Sequence, residues 1–104
     1  MSRVVEIKFM IPVKALKYKN TAFFQEFFQN LYRSILCELK GIPVELKEAE
    51  GEVMIKGASI KLHLDHAGSL HLNISLGGTS LDYQSAKEII NKIEKIISKL
   101  EKTR

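Results

Sequence analysis

The stretch from Ser59 to Ser75, SIKLHLDHAGSLHLNIS, decides the fold. Ile60, Leu62 and Leu64 alternate with Lys61 and His63; a short polar turn follows, and Leu70, Leu72 and Ile74 then alternate with His71 and Asn73. Period-two alternation on both sides of a glycine-containing turn predicts an antiparallel hairpin with one buried face. Facing residues of such a pair point to the same side, so the two apolar sets must meet across the strands. A four-residue loop would set Leu64 against His71 and mix the faces. A three-residue loop, His66-Ala67-Gly68, keeps them apart and asks Gly68 to take the left-handed bulge position. His63 then faces His71, and Asp65 faces Ser69.

Working outward, VELKEAEGEVMI reads as another hairpin that turns at Glu50-Gly51, with Leu46 opposite Ile55 and Glu48 opposite Val53. Gly57-Ala58 is either a second tight turn or a bulge in one bent strand, because the inward parity changes there from Val53 and Ile55 to Ile60, Leu62 and Leu64. Near the start, VVEIKFMI sends Val5, Ile7, Phe9 and Ile11 one way and Glu6 and Lys8 the other, which is a half-buried strand. Pro12 ends its regular pairing because it has no amide hydrogen to donate.

Two helices flank the central strands. Asn20 or Thr21 suits an N-cap, Gly41 supplies a left-handed stop, and Pro43 prevents continuation. Between them Phe24, Phe28, Leu31, Ile35 and Leu39 form one stripe, flanked by Phe23 and Phe27 on one side and Tyr32 and Leu36 on the other. That apolar arc spans about 220°, more than a helix lying on a sheet needs. The excess predicts a homodimer or partner contact anchored by Phe23 and Phe27, with internal packing as the alternative. From Asp82 to Leu100, Ala86, Ile90, Ile93, Ile97 and Leu100 step by four and three, with Ile89 and Ile96 beside them, and Glu88 and Lys92 form a surface pair.

The order predicts one α+β domain over residues 1–104, an antiparallel sheet of four to five strands with both helices on one face. The other face is then polar: Glu6, Lys8, Lys61, His63, Asp65, His71, Asn73 and Ser75.

Size and composition suit a soluble single domain, at 45% hydrophobic and 27% charged residues. Cys37 stands alone, which excludes an intramolecular disulfide and a thiolate cluster and suits a reducing cytoplasm. Arg3, Glu6 and Lys8 interrupt the first apolar stretch, so no signal peptide is expected there, and no apolar run is long enough to span a membrane. The net charge of +4 is unevenly placed. Arg3, Lys8, Lys14, Lys17 and Lys19 make the beginning basic, while Glu38, Glu45, Glu48, Glu50 and Glu52 make the middle acidic.

Three stretches carry candidate chemistry. His63, His71 and Asp65 on an open sheet face could bind a transition metal or titrate together, but polar residues on a wet face explain them equally. LGGTSLD joins a strand to a helix start, where free amides can hold an anion; a flexible turn with an Asp82 cap is the plain reading. PVKALKYKN sets three lysines around Tyr18, a pattern that can touch phosphates and stack on a base; a solvated loop is its alternative. No nucleophile–base grouping or paired carboxylate motif accompanies them, so no catalytic residue, metal or cofactor is expected.

From Phe23 to Leu100, with GIPVELKEAEG after the first helix, the order resembles a double-stranded-RNA-binding domain. The second helix starts DYQSAKEI, with Lys87 alone where that family carries a basic motif, so its main RNA contacts are not implied. From Val4 to Leu100 the chain also resembles the small dimerising subunit of the archaeal tRNA threonylcarbamoylation complex, through its strand–turn–strand–TS pattern. Together these readings predict a non-catalytic cytoplasmic interaction module, a homodimer or small subunit of an assembly that handles RNA or DNA. Lys14, Lys17, Tyr18 and Lys19 are the expected nucleic-acid contacts. The alternatives are a protein scaffold subunit without nucleic-acid contact and a metal or small-ligand protein using His63 and His71.

Overall fold

The computed structural model describes residues 4–14, 21–55, 57–77 and 83–102. Its elements are β1 (Val4–Pro12), α1 (Thr21–Glu38), β2 (Ile42–Leu46), β3 (Glu50–Ile55), β4 (Ala58–Leu64), β5 (Ser69–Gly77) and α2 (Tyr83–Lys102). The strands form one antiparallel sheet in the order β1-β5-β4-β3-β2, so the first strand closes one edge and the second the other. This is the expected α+β fold, with five strands. The expected helix cap Asn20, residues 78–80 of the GGTS turn and Asp82 lie outside the described residues.

The hairpin of β4 and β5 has the expected register, with Leu64 on Leu70, His63 on His71 and Leu62 on Leu72. Asp65 and Ser69 close a three-residue loop, and Gly68 has a φ of 87°. Val53, Ile55, Ile60, Leu62, Leu64, Leu70, Leu72 and Ile74 share the inner face and join Phe28, Leu31, Ile35, Ile90 and Ile93 in one core. Both helices therefore cover the same side of the sheet. Ile55 pairs with Ala58, so residues 50–64 make two strands, and the glycine comes second in the tight turn between them, not first as expected.

Two expectations need correction. The β2–β3 hairpin turns earlier than Glu50-Gly51: Lys47 donates its amide to the Glu50 carbonyl at 2.7 Å, and Leu46 faces Gly51. Gly51 is a strand residue because the Tyr32 ring lies on it; a Cβ there would meet Tyr32 Cε2 at 2.5 Å. At the end of α1, Lys40 and not Gly41 adopts the left-handed backbone, with φ 52°. The Gly41 amide donates to Leu36 O at 2.9 Å, the outer bond of a Schellman cap. Gly41 must lack a side chain for another reason: a Cβ would sit 2.4 Å from Val53 Cγ1.

The Phe-rich arc is also spent differently. Phe24, Phe27, Phe28 and Tyr32 are all buried within the single chain. Phe24 stacks on His66 of the β4–β5 loop at 5.2 Å between centroids, and Tyr32 covers Gly51. Loop and hairpin thus cover circumference that the sheet face alone would leave open.

Candidate interaction surface

The uncovered side of the sheet is a set of rows running across the strands. One row runs Lys8, Asn73, Lys61, Glu52, Glu45, and the next runs Met10, His71, His63, Glu50. The residues of these two rows line a shallow trough of about 530 Å³. Its charge is graded: lysines stand toward β1 and glutamates toward β2.

Local bonds hold the polar groups apart. Ser59 Oγ donates to Glu52 Oε1 at 2.7 Å, so Glu52 turns along its own strand pair and makes no ion pair with Lys61 opposite it. His71 Nε2 lies 2.7 Å from Asp65 Oδ2, while His63 Nδ1 lies 3.5 Å from Glu50 Oε1. The two imidazole centroids are 5.9 Å apart, and each ring is turned to its own carboxylate. They do not converge on one point. Among the described residues no group of three His, Cys, Asp or Glu side chains is placed to hold a metal ion. Asp65 also accepts the Ser69 amide at 2.9 Å, and this bond, ahead of the His71 contact, holds its carboxyl below the ordinary carboxylate value. Asn73 Oδ1, between the lysines, is buried without a protein partner among the described groups.

The expected site residues are scattered. Lys14 is exposed just beyond β1, after Val13 donates its amide to Gly68 O at 2.7 Å. Lys17, Tyr18 and Lys19 lie outside the described residues. Phe27 keeps 4% of its surface and serves the chain's own core, so it is not an exposed anchor; Phe23 is half-buried against it, at 6.2 Å between ring centroids. Exposed apolar surface lies elsewhere. All five residues of β2 are exposed, and Ile42, Val44 and Leu46 keep half their surface or more. Val44 sits in a bulge between the Pro43–Val53 and Glu45–Glu52 pairs. Tyr32 pins this overhanging hairpin to α1 by donating its hydroxyl to Glu52 O at 3.0 Å, and burial raises that hydroxyl's pKa. On the opposite edge, Phe9 and Met10 of β1 are also exposed.

Val44 and Leu46 were legible as part of a strand in VELKEAEGEVMI. Its edge position was not, because that depends on which strands close the sheet. Comparison with models of known families, with curated proteins and with solved structures finds no match. The fold class and these two edges are what define the protein.

Proposed function

We propose that this chain works by binding, as an interaction module whose β2 edge takes an extended, basic and apolar strand of a partner protein. One observation supports the reading above others: Ile42, Val44 and Leu46 stay exposed on a strand whose outer edge is unpaired among the described residues, beside Glu45, Glu48, Glu50 and Glu52. An added strand would gain main-chain hydrogen bonds from the edge and apolar contact on both sides of the sheet, because Ile42 aligns with Met54 on the open face and Leu46 with Gly51 on the inner face. Covering them recovers roughly 3 kcal/mol before the cost of association. The glutamates favour lysine or arginine on the incoming strand. Pro43 and the bulge at Val44 shorten the regular edge, which limits indiscriminate pairing.

Nucleic acid as the partner has weaker support on the sheet face. Glu6, Glu45, Glu50, Glu52 and Asp65 outnumber Lys8 and Lys61 there, which disfavours a phosphate backbone. Contact through Lys14, Lys17, Tyr18 and Lys19 is the form that reading would take.

Fluorescence anisotropy with a labelled alternating valine–lysine decapeptide, a valine–glutamate counterpart and a single-stranded RNA oligonucleotide tests both. The expected result is binding of the basic peptide at roughly 10–100 µM, weakened by salt and by Val44→Lys, with no binding of the acidic one. RNA binding that falls with salt, without peptide binding, would replace this reading with the nucleic-acid one.

A further inference from the structure

The β1 edge differs from β2 in a way that points to a specific occupant. It is nine residues long, and its register against β5 runs from Val4 to Pro12 without a bulge. Among the described residues its outer side pairs with no strand. Long, regular, unpaired edges are templates for another strand unless charge, proline or a bulge blunts them. Phe9 belongs by register to the buried face, opposite Leu72, yet keeps 39% of its surface because no described residue covers it beyond the edge. A cleft of about 120 Å³ runs beside it, between Ile7 and Phe9 and the α2 residues Tyr83, Ala86, Lys87, Ile90, Asn91 and Glu94. Both sheet and helix layers are thus open at the same edge.

We infer that this edge is a two-fold interface: β1 pairs antiparallel with β1 of a second copy, centred on Ile7, to make one ten-stranded sheet. The inference rests on the reading of the chain as an interaction module and names a second copy as one of its partners. Charge placement selects both occupant and register. Glu6 and Lys8 lie on the open face, one residue either side of Ile7. An antiparallel two-fold about Ile7 sets Glu6 of each copy opposite Lys8 of the other, two opposite-charge pairs from one symmetry operation. Centring on Glu6 or Lys8 would face like charges. Centring between residues would put the apolar set of one copy against the polar set of the other. Moving the centre to Phe9 would draw Pro12, which lacks a donor, into the ladder. Within the chain Glu6 faces Ser75 and Lys8 faces Asn73, so neither charge has an opposite charge across its own strand pair. On α2, Lys87 and Glu94 flank the cleft with opposite signs and suit the same two-fold arrangement.

Sedimentation or light scattering of the full chain tests this through charge reversal. The wild type is expected at about twice its 11.8 kDa chain mass. Glu6→Lys and Lys8→Glu should each weaken the dimer about tenfold or more, because each reversal creates two like-charge pairs. The double reversal Glu6→Lys with Lys8→Glu should restore it, while Val44→Lys on the far edge should leave it intact. Circular dichroism should show all variants folded, since both positions are exposed. A monomeric wild type, single reversals without effect, or a double reversal that stays dissociated would each overturn the inference. Loss of peptide binding in Val44→Lys with an intact dimer would leave the β2 reading standing separately.

Discussion

Tyr32 lies close enough to Gly51 that an added methyl group at residue 51 would sit 2.5 Å from Tyr32 Cε2 and 2.6 Å from Cδ2. The ring is held by its hydroxyl, which donates to Glu52 O at 3.0 Å. Helix α1 is thereby locked to the β2–β3 hairpin, and β2, which no helix covers, keeps its place through this contact. Gly51→Ala must displace the ring, so it should destabilise by about 1–3 kcal/mol. Tyr32→Phe keeps the packing and loses one hydrogen bond, for about 1 kcal/mol. Urea unfolding of the two single variants and the double variant checks this; the two effects should be non-additive, because the residues touch.

Lys40 and Gly41 carry opposite expectations, although both sit at the end of α1. Lys40 has φ 52°, a conformation that costs a non-glycine residue about 1 kcal/mol. Lys40→Gly should therefore stabilise, with a higher thermal midpoint. Gly41→Ala should destabilise, because its Cβ would press on Val53 Cγ1 at 2.4 Å. If glycine were required at residue 41 only as a helix stop, shifting it to residue 40 would be harmless. The double variant Lys40→Gly with Gly41→Ala should instead remain less stable than the wild type.

These two contacts also mark where the sequence stopped being legible. The β4–β5 register could be read because the alternation on both strands and a single loop length settle it locally. The β2–β3 register could not. Gly51 looks like a turn residue in EAEGEV, but the demand for a bare backbone comes from Tyr32 on another element. The same holds for Gly41 under Val53. The apolar arc of α1 was counted correctly from spacing, yet its covering by His66, Gly51 and α2 depends on tertiary placement. Edge exposure is non-local in the same sense. Val44 and Leu46 read as part of an ordinary hairpin strand until the sheet order leaves them outside.

The Phe cluster should accordingly respond as a core. Phe28→Ala should cost about 3–5 kcal/mol, a large share of a small domain's stability. Phe27→Ala should fall near it, since that ring is equally enclosed, while Phe23→Ala, half-buried, should cost less. Denaturant midpoints rank the three. If Phe27 instead anchored a partner, its replacement would change the mass in solution while leaving the midpoint of the folded monomer near wild type.

Asp65 supplies the pH dependence. Its carboxyl is held below the ordinary value first by the Ser69 amide and then by His71. A carboxyl with a lowered folded pKa stabilises the fold above its unfolded value, and the contribution drains away as pH falls through the folded value. The β4–β5 loop end should therefore tighten at neutral pH and loosen on the acid side of about pH 4. Carboxyl NMR titration of the wild type should show Asp65 with a midpoint below that of an ordinary aspartate. His71→Ala should raise that midpoint only part of the way, because the amide bond to Oδ1 persists. Full reversion in His71→Ala would make the imidazole the main cause and reverse the ordering of the two contacts.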